Sequence, residues 1–445
     1  MDTTDQLIME APASLAREMR RRFHDVIPGG SHTYAKGDDQ YPEAPSIYIT
    51  HGKGCHIWDV EGNEYIEYAM GLRSVTLGHA YEPVVEAGVR QLRLGSNFNR
   101  PATIELECAE KLLELVPGAE MVKFAKNGSD ANDAALKLAR AYTGRDMVAI
   151  CKDHPFFSVS DWFMSTTPVN GGIPQRAKEL TLGFPYNNLG PVADLFASYP
   201  KRIAAVMLEA EKDTPPAEGF LAGLRELCHR EGALFILDEM ITGFRWHNGG
   251  AQGYYDLVPD LATFGKALGN GSSLSALVGR REFMRLGGLE HDRPRVFLLS
   301  TTHGAEAHAL AAGREVMRIY QQEPVVKTLW QQGAKLAAGI RQAMVETQVE
   351  GFFGISGKPC CLTYQTRDAD GRPSQDFRTL FLQEILKRGV LAPSFVVSYS
   401  HTDQDIQRTV EAVHEALQIY HQALEEGVGK FLEGRPVKSV YRQFN

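Results

Sequence analysis

Nowhere in the 445 residues is there an unbroken apolar run of the length a bilayer requires, so no segment reads as a transmembrane helix. Cysteine is scarce. Six are scattered along the chain and only Cys360 and Cys361 are adjacent, which gives neither the density of a disulfide scaffold nor the CxxC spacing of a metal knuckle. They read as reduced packing thiols. Basic residues are in deficit, 47 Lys and Arg against 55 Asp and Glu, and the net charge of −8 argues against a nucleic-acid partner. The cluster Arg17-Glu18-Met19-Arg20-Arg21-Arg22 is more simply the solvated face of a helix. The 14 histidines include no HxH or HExxH spacing, so no metal is expected. His79, His154 and His303 are structural or pocket-lining candidates, His79 the more structural. The opening Met1-Asp2-Thr3-Thr4-Asp5-Gln6 lacks the basic-then-apolar order of a secretory signal, and a soluble cytoplasmic protein without membrane contact is the expectation. Internal repeats and low-complexity stretches are missing too.

What is present is apolar residue in quantity: 43% of the chain, enough for a sizeable core and more than one domain. Strand-like runs at Val122–Ala125, Met147–Ile150, Ile203–Glu209 and Ala233–Asp238 alternate with helix-like stretches such as Gly219–Arg230. Continuous apolar strands separated by helices predict an α/β fold with a mainly parallel sheet covered on both faces. Sites in such sheets form at the carboxyl ends of strands, where Glu209 and Asp238 stand. Near Gln321-Gln322-Glu323-Pro324 a long helical pattern leads into a smaller α+β segment.

Lys266 lies in Thr263-Phe264-Gly265-Lys266-Ala267-Leu268-Gly269-Asn270-Gly271, a stretch of small and apolar residues. Burial disfavours an ammonium, and a lysine that loses its proton can form a Schiff base with an aldehyde cofactor. Pyridoxal phosphate also needs an acid to keep its pyridine nitrogen protonated, and Asp238 is the candidate. A third element, Asn127-Gly128-Ser129-Asp130, opens a helix-forming stretch whose free N–H groups suit a phosphate. Each piece alone has a plainer explanation: a surface lysine, a loop carboxylate, an ordinary N-cap. Their order along one chain carries the inference.

In these motifs the chain resembles the class III aminotransferases of pyridoxal-phosphate fold type I, in the glutamate-1-semialdehyde aminomutase-like branch. The resemblance runs from Val26-Ile27-Pro28-Gly29-Gly30 to Leu391-Ala392-Pro393-Ser394, through Trp58–Tyr68, Leu77-Gly78-His79-Ala80, Asn127–Ala131, Leu237–Arg245 and the Lys266 loop. It implies a large domain at 76–320 with a seven-stranded sheet, an N-terminal segment 1–75 that joins the small domain, and a small α+β domain at 321–445. It implies that Lys266 is the Schiff-base lysine, that Asp238 pairs with the pyridine nitrogen, and that Gly128 and Ser129 lie at the phosphate. Glu209 matches the glutamate near the phenolic side of the cofactor, and Phe156, with Phe157 nearly equivalent, the ring that stacks on it. Thr302 matches a threonine that reaches the phosphate of the neighbouring subunit, which makes the active unit at least a homodimer.

The departures from the aminomutase pattern bear on the substrate. Lys36 stands where that branch uses an arginine after the Pro-Gly-Gly turn, and lysine lacks the two-pronged geometry of a guanidinium. The segment after Leu391-Ala392-Pro393-Ser394 lacks the glutamate associated with gating, and Ala69–Ser74 replaces a tryptophan and adds Arg73. With His32, Tyr34 and Tyr399 as further polar groups, the expectation is a true aminotransferase. It would move an amino group from an amino acid, with glutamate as the expected donor, to a keto-sugar acid such as 8-keto-3-deoxy-manno-octulosonate, giving an amino sugar of lipopolysaccharide. Arg73, Lys36, Tyr34 and His32 would bind the substrate. The alternatives are glutamate-1-semialdehyde 2,1-aminomutase and a non-catalytic protein on the same scaffold.

Overall fold

The structure is a computed structural model that describes residues 15–44, 47–155 and 158–444. Its centre is a seven-stranded sheet in the order Met121–Ala125, Ser275–Gly279, Leu261–Phe264, Leu234–Asp238, Ile203–Leu208, Met147–Cys151, Thr181–Phe184. Neighbours are parallel from Leu261–Phe264 through to Thr181–Phe184, and only Ser275–Gly279 runs antiparallel to both its partners. The continuous apolar runs thus become strands buried on two sides. In Leu234–Asp238, Leu234 and Ile236 join one hydrophobic cluster while Phe235 and Leu237 join the other, on the opposite face. Burying each of these side chains is worth about 1.5–3 kcal/mol, which makes this strand costly to displace.

The helix Gly128–Thr143 covers one face. Asn127 caps it by accepting from the Asp130 N–H at 3.1 Å, and Gly144 ends it at φ 67°, a left-handed conformation that glycine adopts without strain. The long helix Ala307–Gln322 packs against Glu82–Leu94 and Thr103–Leu115, and a second long helix, Val325–Glu346, begins after Pro324.

A separate four-stranded sheet joins the two ends of the chain, with Ile49–Lys53, His56–Asp59 and Glu64–Glu67 antiparallel and Val390–Leu391 parallel beside the last. Asp59 shapes its tight turn by accepting from the N–H groups of Glu61 and Asn63. His56 fastens this sheet to the helix Asp403–Glu426: its Nε2 is 3.0 Å from Asp405 and its Nδ1 2.6 Å from Glu64. Asp405 also closes a capping box with Thr402. Cys55 lies beside this pair, and His56 and Asp405 there are already committed to one another and to their neighbours.

Beyond that helix the tail returns across the molecule. Gln383 holds it through Phe431 and Glu433, the Val437 N–H donates to the Thr379 hydroxyl at 2.8 Å, and the Lys438 N–H donates to the Asp39 carbonyl at 2.9 Å. All six cysteines are free and buried, in keeping with packing thiols. Among the described residues no helix is long and apolar enough to cross a membrane.

Candidate active site

The parallel strands deliver their chemistry at one edge. Glu209 comes directly after Leu208, Asp238 ends its strand, and Lys266 lies just after Phe264. Asp238 is 2% exposed; its Oδ2 accepts from Asn132 Nδ2 at 3.0 Å and its Oδ1 from the Met240 N–H at 2.8 Å. Asn132 is itself fixed by Thr263, whose hydroxyl donates to its Oδ1 at 2.6 Å. Burial pushes the Asp238 carboxyl up to about 6, the nearby Glu209 charge adds to the rise, and Lys266 opposes it. Burial also raises Glu209 and lowers the Lys266 ammonium, which Asp238 and Glu209 attract in return. Lys266 has φ 45°, unusual for a side chain with a Cβ. Three ionisable groups therefore face one another in a recess with little water to screen them.

The lining of this recess is built for an occupant. Both carboxylate oxygens of Glu209 are buried and have no hydrogen-bond partner among the described residues. At the opening of the helix Gly128–Thr143, a Cβ on Gly128 would lie 3.2 Å from Met240 Sδ, so the backbone there is close-packed in a way a larger residue would disturb. Ser129 is buried, with its hydroxyl 3.1 Å from that of Ser158 and accepting from the Val159 N–H at 3.2 Å. An orphaned acid, a second acid, a lysine and a capped helix N-terminus fit a cofactor with a phenolic oxygen, a ring nitrogen, an aldehyde and a phosphate.

Arg73 reaches the same region on a left-handed turn. Met70, Gly71, Leu72 and Arg73 have φ of 43°, 59°, 57° and 70° in succession, and each such non-glycine residue costs about 1–2 kcal/mol. The turn is held from several sides: the Arg73 N–H donates to Ala69, Ser74 Oγ to Gly71, and fully buried Arg245 donates from Nη2 to the Arg73 carbonyl at 2.7 Å. The Arg73 Nε is buried and has no acceptor among the described residues. Beside it lies a cavity of about 330 Å³ that also receives Lys212, Arg378 and Lys438, with Asp213 as the facing acid. Arg73 lies within electrostatic reach of Glu209, Asp213 and Lys266, so this cavity adjoins the lysine recess.

Other expected residues fall elsewhere. His32, Tyr34 and Lys36 are exposed and do not line the Arg73 cavity; the short turn Tyr34–Lys36 directs only Ala35 to it. Thr302 is on an exposed loop, its carbonyl accepting from Asn97 Nδ2 at 3.0 Å, and lies outside the lysine recess of its own chain. Phe156 and Phe157 lie outside the described residues. His154 is buried with Glu209 and Asp238 around one small recess, and burial lowers its pKa to about 4, so it stays neutral. His79 is structural, 2.6 Å from Glu67, and His303 is exposed beside Glu306. Asn132, Arg245, Lys212 and Arg378 were not expected from the sequence. Asn132 carried a faint signal, since three positions after Ser129 falls on the same helix face.

The family model for class III aminotransferases matches residues 36–417. The chain belongs to the class III aminotransferases. It is an enzyme of that family, and its cofactor is pyridoxal 5′-phosphate. It is 34% identical over 423 residues to glutamate-1-semialdehyde 2,1-aminomutase of Desulforamulus reducens, covering 90% of this chain and 97% of that enzyme. Among solved structures it is similar to an omega-transaminase from Sphaerobacter thermophilus, with TM-score 0.83 and 26% identity, covering 92% of this chain and 98% of that one. The internal aldimine form of the Sphingopyxis sp. MTA144 FumI protein also gives a TM-score of 0.83 at 26% identity, over 92% and 97% of the two chains. The aminotransferase assignment agrees with the α/β fold and the seven-stranded sheet expected from the sequence.

Proposed function

We propose that this aminotransferase moves an amino group onto, or within, a carbonyl compound that carries a carboxylate. The observation that carries the reading is Arg73, a guanidinium with a buried, unpartnered Nε at the junction of the lysine recess and the cation-lined cavity. When bound, the cofactor supplies the electron sink for breaking a C–H bond beside nitrogen. Lys266 Nζ, whose ammonium form is disfavoured by burial, takes that proton and returns it at the new position. Asp238, fixed by Asn132 and the Met240 N–H, provides the negative charge for the ring nitrogen, while Glu209 serves the phenolic side. Gly128 and Ser129 receive the phosphate, with Thr302 contributed across a homodimer.

Two substrates divide this reading. Glutamate-1-semialdehyde 2,1-aminomutase activity is supported by the curated relatives and the near-complete overlap with them. Transamination of a keto-sugar acid, with glutamate as donor, is supported by a cavity of about 330 Å³ carrying four cationic side chains, more charge than one carboxylate requires. The outward placement of His32 and Tyr34 withdraws two hydroxyl-binding groups from it. The deciding experiment supplies purified enzyme with glutamate-1-semialdehyde alone and, separately, with glutamate and a panel of keto-acids and keto-sugar acids. Formation of 5-aminolevulinate without any donor selects the mutase; release of 2-oxoglutarate dependent on an acceptor selects the transaminase. Neither reaction occurring would refute the proposal.

A further inference from the structure

The family match ends at residue 417, whereas the described chain continues to 444, and the extra segment is not a loose end. After Gly427, Lys387 pairs with Glu433 at 2.6 Å, Arg435 donates to the Asp38 carbonyl at 2.8 Å, and Arg442 pairs with Asp39 at 2.7 Å. Val437, only 3% exposed, is seated between the helix Gln375–Lys387 and the N-terminal segment. Anchored on both sides, the tail forms one wall of the Arg73 cavity through Val437, Lys438 and Val440. Tyr441, the next residue along, is close enough to Glu209 to feel its charge.

The charges of this wall are arranged for an anion. Arg378 spends one nitrogen on the Pro393 carbonyl at 2.8 Å and lies over the Tyr364 ring, and Lys212 donates to the Pro155 carbonyl at 2.8 Å. Neither makes an ion pair among the described residues, and both keep their charge beside the cavity. Lys438 is exposed at its mouth. Asp213 is the one acid in the lining, against four cations. Such an imbalance in a partly enclosed space raises the local concentration of anions and gives a carboxylate several donors.

We infer that the C-terminal tail completes a carboxylate subsite of this enzyme, in which Lys438 with Arg378 and Lys212 holds the end of the substrate remote from the carbon that gains or loses nitrogen. The inference rests on the amino-transfer reading above and extends it: the substrate is an acid whose carboxylate is separated from the reacting carbon by the distance from Lys266 to the tail. Lys438 acts here as a specificity residue, and it makes no contact with Lys266.

The test uses full-length holoenzyme and reads cofactor absorbance during titration with a graded series of ω-amino carboxylates and the matched n-alkylamines. At one chain length the carboxylate should bind about tenfold tighter than its amine, a factor typical of one charge-assisted contact. Lys438→Ala should shrink that preference about threefold to tenfold, Lys438→Glu should remove it, and Lys438→Arg should retain it, with amine affinities unchanged throughout. Because Lys438 is exposed, these variants fold. A carboxylate preference that survives Lys438→Glu at every chain length would overturn the subsite while leaving amino transfer intact. A cofactor spectrum indifferent to every amine would overturn the amino-transfer reading, and the subsite with it.

Discussion

Replacing Asp238 by Asn should stabilise the cofactor-free protein at alkaline pH while disabling the loaded enzyme. Burial raises this carboxyl from 3.8 to about 6, a preference for the neutral form of about 3 kcal/mol. That rise sets the sign of the linkage. Below pH 3.8 the side chain is neutral folded or unfolded and costs nothing. Between pH 3.8 and about 6 the unfolded chain gives up its proton while the folded carboxyl keeps its own, so stability falls across that window and levels off above it, where the folded protein buries the charge. An amide escapes this cost. It loses one hydrogen bond, because Asn132 Nδ2 would meet another amide and Asn132 Oδ1 is already taken by Thr263, at about 1 kcal/mol. The net gain is about 2 kcal/mol at pH 8, reversing to a loss of about 0.5 kcal/mol at pH 4. Urea unfolding of resolved apoprotein, wild type and variant, at both pH values measures this. A variant less stable than wild type at pH 8 as well as at pH 4 would refute the account of a charge held at a cost. In the loaded enzyme the amide cannot hold the ring nitrogen protonated, and amino transfer should fall by more than about tenfold, or ~1.4 kcal/mol of barrier.

The purified protein should be yellow, and borohydride reduction with peptide mapping should place the cofactor on Lys266; a label on another lysine would end that assignment. Arg73→Ala should raise the KM for the carboxylate-bearing substrate by the equivalent of ~1.5–3 kcal/mol, measured in each half-reaction separately so that donor and acceptor are told apart. His56→Gln should narrow the pH range of stability. The His56 pKa is raised by its bond to Asp405, so its contribution is present below 6.5 and lost as pH climbs past its folded value. Burial opposes the bond to His56 at Asp405, yet the bonds prevail and hold the carboxyl far below 3.8, a contribution lost only as pH falls through that depressed value. Thermal unfolding of wild type and variant across pH 3 to 9 should therefore converge at the alkaline end, where His56 loses its charge, and stay apart at the acid end, where Asp405 still keeps its own.

Lys266, Asp238 and Glu209 could be picked out of the sequence because a parallel sheet turns a local signal into a spatial one: apolar strands end, and the residues just past each end meet at one edge. The same logic fails where the site is built from chain segments that no local pattern joins. Nothing in Met70-Gly71-Leu72-Arg73 except its glycine announces a left-handed turn, and one of the bonds that hold it comes from the buried Arg245, 172 positions away. The segment His32–Lys36 shows the converse. Its residue types suit a substrate pocket, but residue type does not encode direction, and a three-residue turn was enough to face them outward. The tail was illegible for a third reason, since its grip on Asp38 and Asp39 depends on contacts across most of the length of the chain.

Arg245 spans the two anchors of the site. It grows from the loop after Asp238, and its guanidinium clasps both the Ile241 carbonyl of that loop and the carbonyl of Arg73. The loop after Asp238 and the turn that carries Arg73 are thereby referenced to one rigid bracket, so their spacing is not the sum of two independent loop positions. If Arg73 seats the substrate carboxylate as proposed, a substrate one methylene too long could not be accommodated by letting one loop drift, because both would have to move together. On the proposed role of Arg73, the spacing of the two loops is a ruler whose two marks are cut in the same piece.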